Sequence, residues 1–175
     1  MTSSLVALDT NLLIYLATSE ENTDLDRELI AAAQNLVRQL NEQGRPMALP
    51  TPVVGEFLSH PLYAGKRLTA TINDLMQEFV LLPYDTHAAK LYAHIMHHRR
   101  QGEVWETYRH QEGIPRRCLF ADMAILATAE AHHVEELYTG ERNFFIQKMA
   151  QAARLNVKVI RITELSYQLP LSANR

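Results

Sequence analysis

The sequence predicts an α/β fold, three-layered α/β/α, with a central parallel sheet of four to five strands. Three observations predict it. Short apolar runs alternate with longer helical patterns, the mark of strands joined by helical crossovers. Pro50, Pro52, Pro83, Pro115 and Pro170 fall between these segments rather than inside them, as expected of a residue that breaks both ladders. And 175 residues with 47% hydrophobic and 21% charged side chains make one ordinary domain, residues 1–175, that buries roughly 70% of its unfolded surface.

The elements follow in order. Leu5-Val-Ala-Leu8 is the first strand, and Asp9 stands where a helix starts at Thr10. The clearest helix carries Leu25, Leu29, Ala32, Leu36, Val37 and Leu40 on one stripe, with Thr23 as its N-cap and Gly44 and Pro46 as its stop. Met47-Ala-Leu49 is a second strand and Phe79-Val-Leu-Leu82 a third. Thr86 opens a helix that buries Ala88, Leu91, Tyr92 and Ile95. Another runs from about Phe120 through Ile125, Leu126 and Ala129. Glu136-Leu-Tyr138 and Val157-Lys-Val-Ile160 complete the strands. Between helices, residues 101–117 lack periodicity and hold Gly102, Gly113 and Pro115 beside Trp105 and Tyr108. They read as a helix end plus a long surface loop, a length more often functional than accidental.

Composition excludes several classes. The net charge is −3, so no global positive field draws the chain to nucleic acid, and any such contact needs a local patch. Cys118 is the single cysteine, which rules out an internal disulfide and a Cys-rich zinc site. The apolar stretch Leu5 to Ala17 has no basic flank and is interrupted by Asp9 and Asn11, unlike an export signal or a membrane span. A cytoplasmic protein, away from the membrane, is expected.

Four acids fall at strand ends. Asp9 follows the first strand, Glu56 lies one turn after the second, Asp122 opens a helix, and Glu141 follows the fourth strand. Loops leaving the carboxyl ends of parallel strands gather along one edge, so acids far apart in sequence meet in one cleft if the topology holds. Each has a bland alternative: Asp9 as a helix cap, Asp122 as a charge favoured by the helix dipole, Glu56 on a solvated face, Glu141 in a turn. Gathered together, two carboxylates about 4 Å apart repel by roughly 4 kcal/mol at an effective dielectric of 20. Such a cluster needs protons or a cation, and hard oxygen donors favour Mg²⁺ or Mn²⁺.

Here a resemblance becomes specific. Asp9-Thr10-Asn11 before an apolar helix resembles the first motif of PIN-domain nucleases. Val54-Gly55-Glu56-Phe57-Leu58 is similar to their second acidic motif, and Ala121-Asp122-Met123-Ala124-Ile125 to the third. Tyr138-Thr139-Gly140-Glu141-Arg142-Asn143-Phe144 resembles the fourth. Order and spacing match from Val6 to about Ile162. Two departures stand out: the fourth acid is Glu141 where Asp or Asn is usual, and residues 101–112 look like an insertion.

The resemblance, which by small size and lack of extra domains extends to the VapC-type toxins, implies a Mg²⁺- or Mn²⁺-dependent endoribonuclease. Asp9, Glu56 and Asp122 would hold the metal, with Glu141 assisting catalysis. Thr10, Asn11 and Thr139 would fix carboxylates or metal-bound water. It further implies a homodimer and a small antitoxin as partner. Arg116, Arg117 and Arg142 are candidate RNA contacts, and Trp105 and Tyr108, between Arg99, Arg100 and Arg109, either stack on unpaired bases or plug the core. A free-standing RNA-processing nuclease, or a non-catalytic RNA- or protein-binding module of the same fold, remains open. So does a nuclease acting on DNA. His94, His97 and His98 have helical metal-ligand spacing but no acidic partner motif, and read as exposed helix histidines; Cys118 reads as structural.

Overall fold

Five short strands form one sheet in the computed structural model, which describes residues 4–18, 27–60, 68–101, 103–141 and 144–165. They are β1 (Val6–Leu8), β2 (Met47–Pro50), β3 (Val80–Leu82), β4 (Glu136–Thr139) and β5 (Lys158–Arg161). All pair in parallel, in the order β3-β2-β1-β4-β5. The central β1 is wholly buried, and β2 is buried throughout. That is why these strands are apolar along their length: parallel strands are covered on both faces.

Helices flank the sheet. They are α1 (Thr10–Ala17), α2 (Arg27–Glu42), α3 (Thr51–Ser59), α4 (Leu68–Glu78), α5 (Thr86–Gln101), α6 (Glu103–Glu106), α7 (Arg116–Ala131), α8 (Phe145–Ala152) and α9 (Ile162–Leu165). α1 and α9 pack against α2, and α7 packs against α3, α5 and α8. Of the stripe expected on α2, Leu29, Leu36 and Leu40 are buried and Ala32 and Val37 half-buried; Leu25 and the expected cap, Thr23, lie outside the described residues. Among the described residues no helix is long and apolar enough to cross a membrane.

The segment expected to be a surface loop is different. After α5 and α6, residues Thr107–Gln111 form a π-helical turn, whose wider winding breaks the 3.6-residue period and hides the helix from a periodicity search. Its aromatics face inward. Trp105 and Tyr108 are only 3% and 2% exposed. Their rings lie 6.3 and 5.5 Å from that of Phe145, and Trp105 also meets Phe120 at 5.5 Å. Neither ring is available to a base, so the stacking role considered for them is withdrawn in favour of the core.

The strand order creates the cleft. From β1 the chain steps outward through β2 to β3, then returns to place β4 on the other flank of β1. Connections leaving β1 and β4 therefore diverge at their carboxyl ends, opening a crevice of the kind where open α/β sheets take ligands. At the other edge, the Arg45 guanidinium donates to Glu136 Oε2 at 2.6 Å and Ser4 Oγ at 2.9 Å, pinning the amino ends of the strands away from the cleft.

Candidate active site

Each acid reaches the crevice through its own element. Asp9 terminates β1, with its N–H donated to the Tyr138 carbonyl of β4 at 2.9 Å. It is the N-cap of α1, yet its Oδ1 accepts from the adjacent Thr10 N–H at 2.6 Å, not from the second or third N–H as a cap ordinarily does. The other oxygen, Oδ2, accepts from Thr139 Oγ1 at 2.7 Å. Cap and site residue are thus one carboxylate, held between β1 and β4 and only 2% exposed.

Two threonines knit the neighbours to it. Thr10 Oγ1 donates to Glu56 Oε2 at 2.6 Å, tying α1 to α3. Thr139 Oγ1, besides donating to Asp9, accepts the N–H of Glu141 at 3.1 Å. The Asn11 side chain also hydrogen-bonds Asp9. All three residues expected to support the carboxylates do contact them.

Asp122 corrects the sequence reading in one respect. It does not open its helix: α7 begins at Arg116, with Pro115 as N-cap. Asp122 stands in the second turn, beyond the reach of the helix-terminus charge, which removes the bland reading of it as a dipole-favoured residue. Its carboxyl instead hydrogen-bonds Glu141.

The electrostatics show that the four acids share one environment. Burial raises Asp9 from 3.8 to about 6 against hydrogen bonds from Thr139, Thr10 and Asn11 that pull it down, and the Glu56 charge adds to the rise. Burial, then the Asp9 charge, lifts Glu141 to about 8, with the Asp122 hydrogen bond opposing. Asp122 is raised well above 3.8, first by burial and then by Glu141, Asp9 and Glu56. Glu141 Oε2 is buried without a hydrogen-bond partner.

A divalent cation fits this donor set. The donors are carboxylate oxygens, the type that Mg²⁺ and Mn²⁺ take, their charges are held at a cost that a cation would offset, and one buried oxygen is unsatisfied. Among the described residues no group of three or more His, Cys, Asp or Glu side chains is placed, as it stands, to hold a metal ion: oxygens of Glu56 and Asp9 are taken up by the threonines, and Asp122 by Glu141.

The family model of the PIN domain matches residues 6–152. The chain belongs to the PIN domain family. No curated protein sequence matches it significantly, but solved structures share the fold. The DNA-bound VapBC of Salmonella typhimurium aligns with a TM-score of 0.55 at 16% identity over 91% of this chain and 98% of that one. VapBC2 of Rickettsia felis, bound to a promoter DNA fragment, gives 0.54 and 16% over 90% and 98%. VapBC-1 of nontypeable Haemophilus influenzae gives 0.52 and 17% over 91% and 98%. At such identities the likeness is one of fold.

Within this PIN domain the basic candidates divide. Arg116 and Arg117 are exposed in the first turn of α7, and the Arg116 guanidinium lies 5.9 Å from the Phe120 ring. Arg142 lies outside the described residues. The histidines hold no metal arrangement: His94 meets the Ala153 carbonyl at 3.2 Å and stacks edge-on with His98. Sequence reasoning missed Gly140. A Cβ there would stand 2.6 Å from Tyr15 Cε2 and 3.2 Å from Asn11 Cβ, so only glycine lets α1 close on the β4 end. Its place between Thr139 and Glu141 was the one available signal.

Proposed function

We propose that this PIN domain is a Mg²⁺- or Mn²⁺-dependent endoribonuclease, the toxin of a VapBC-type toxin–antitoxin pair. The observation that carries it is the meeting of Asp9, Glu56, Asp122 and Glu141 at the carboxyl edge of β1 and β4. The family and the VapBC structures of the same fold support the reading. They also support an antitoxin as partner, and a homodimer is proposed with it.

In this reading Asp9, Glu56 and Asp122 hold the cation. Bound there, it supplies charge to offset the carboxylates, an activated water, and stabilisation of the negative charge developing on the phosphate. Thr139 and Asn11 hold Asp9 oriented, and Thr10 holds Glu56. Glu141, poised near 8, is the group that can accept or return a proton beside the scissile phosphate. Arg116 and Arg117 bind the RNA backbone, and so does Arg142. Two arginines in the first turn of a helix oppose its dipole, each by about 0.3–1 kcal/mol, and concentrate positive charge there. α7 feeds the parallel strand β4, so its start lies over the carboxyl edge, and Arg116 precedes Asp122 by six residues, about 9 Å of helix.

The test is cleavage of a single-strand-rich RNA pool by the purified chain, freed of any co-purifying protein, in Mg²⁺, Mn²⁺ or EDTA. Metal-dependent cleavage that Asp9→Asn abolishes is expected. Equal activity in EDTA, or in Asp9→Asn, refutes the mechanism; RNA binding with no cleavage makes the chain a binding module.

A further inference from the structure

Phe144 and Phe145 are adjacent and do opposite things. Phe145 is fully buried against Trp105 and Tyr108. Phe144 is 41% exposed, so the core does not require it. It occupies the N-cap of α8 and makes no side-chain cap bond, at a position where Ser, Thr, Asp or Asn would stabilise the helix. An exposed aromatic that both wastes apolar surface and forgoes a cap conflicts with local preference, and such conflicts concentrate at functional sites.

The ring is nevertheless held. The Arg161 guanidinium carbon lies 3.7 Å from the Phe144 ring centroid, a stacked cation–π contact over one face. Arg161 ends β5 and is the register partner of Thr139, the residue that donates to Asp9. Phe144 itself is three residues beyond Glu141. Two independent links, one through the strand ladder and one along the chain, therefore bring this pair to the rim of the acidic crevice. The aromatics first considered for stacking, Trp105 and Tyr108, are buried; Phe144 is not.

The geometry points to Phe144, stacked on Arg161, as a platform on which an unpaired nucleobase next to the scissile phosphate stacks. The inference rests on the nucleic-acid reading of the site above and names the group that positions the strand. Arg161 covers one face and the exposed remainder of the ring meets the base. Every base has a π face, so the platform grips single strands with little regard to sequence, and a paired base cannot reach it.

The experiment measures binding apart from cleavage. In an Asp9→Asn background, affinity for a fluorescent single-stranded RNA is compared with Phe144→Leu, which keeps an apolar side chain without the π face, and with Phe144→Trp. One stacked base is worth about 5- to 150-fold in affinity. Phe144→Leu is expected to weaken binding by that range with unchanged melting temperature. Phe144→Trp is expected to bind at least as well as Phe, with fluorescence quenched by RNA while the buried Trp105 signal stays constant. An abasic site walked along the RNA should weaken the parent at one position, and Phe144→Leu should lose that position dependence. In the cleaving protein, Phe144→Leu should raise KM and leave kcat nearly unchanged. Equal affinity of Phe144→Leu and parent, or no quenching, overturns the platform. If the wild type never cleaves but the abasic signature depends on Phe144, the nuclease reading fails and the platform stands; if it cleaves without such dependence, the reverse holds.

Discussion

Asp9→Asn separates the electrostatic cost of the site from its chemistry. Asp9 is 2% exposed and its pKa stands at about 6 rather than 3.8. At about 1.36 kcal/mol per pKa unit, holding it ionised costs the fold about 3 kcal/mol. That value already includes the opposing bonds from Thr139, Thr10 and Asn11. Asn mimics the protonated acid in shape, with an oxygen for the Thr10 N–H and an amide facing Thr139 Oγ1. Because the folded pKa lies above the unfolded one, the native state binds more protons between those values, and stability falls as pH rises. The contribution is fully present below about 4 and is lost as pH passes through about 6.

In chelator, then, Asp9→Asn and wild type should melt together near pH 3, below the unfolded pKa, within about a degree or two. Above pH 7 the variant should melt higher by about 6–12 °C, taking about 2–4 °C per kcal/mol for a chain of this size. A divalent cation at about 100 times its Kd should return about 2.7 kcal/mol to the wild type and less to the variant. The assay is thermal unfolding by circular dichroism at several pH values, with EDTA or Mg²⁺. A variant less stable than wild type at pH 8 in EDTA, or a gap that does not change with pH, refutes the argument that burial of this charge opposes folding.

Two further substitutions test the frame around the site. Gly140→Ala forces a Cβ to within 2.6 Å of Tyr15, and is expected to cost about 1–3 kcal/mol by overpacking and to lower turnover; Tyr15→Leu in the same chain should recover much of the stability, a non-additivity that denaturant melts will detect. Trp105→Ala should cost about 3–5 kcal/mol, as for a buried aromatic, while RNA affinity of the still-folded protein, measured in the cold, stays within about twofold; a specific loss of RNA binding would return Trp105 to the interface.

All five strands were legible in the sequence, each within a residue or so of its observed place, because parallel central strands are continuous apolar runs and their ends carry prolines, glycines or acids. The acids were legible because their position relative to a strand end is a topological fact once the sheet is parallel. The start of α7 was not. Arg116, Arg117 and Cys118 interrupt the apolar pattern that Leu119 resumes, so the pattern marks the helix only from about Phe120, four residues after its start. The inward turn of Trp105 and Tyr108 was hidden by the π-helical turn, which shifts the period on which a buried stripe is recognised. The helices α4 and α8 were not singled out. Gly140 and the Phe144–Arg161 stack depend on contacts between segments distant in sequence, and no local pattern encodes them.

Several conflicts with local preference gather along one edge of the sheet. Asp9 is a buried acid that caps its helix through an unusual N–H, two arginines stand at the positive end of α7, Phe144 occupies a cap position it cannot fill, and Glu141 buries an unsatisfied oxygen. Each opposes folding by roughly a kilocalorie or more, and all belong to segments that meet at the carboxyl edge of the sheet. At the opposite edge Arg45 pairs with Glu136, and Glu136 in turn with the Tyr138 hydroxyl, although Arg45 Nε is buried without a partner and His133 and Arg154 hold a positive φ. Conflicts that concentrate around a cluster of acids mark the carboxyl edge as a functional one. The conflicts also match the proposed function in sign and kind, with carboxylates where a cation is proposed, arginines where phosphate is and an exposed ring where a base is. On the proposed function, a metal-bound single strand would offset the buried carboxylate charge and the arginines at the start of α7.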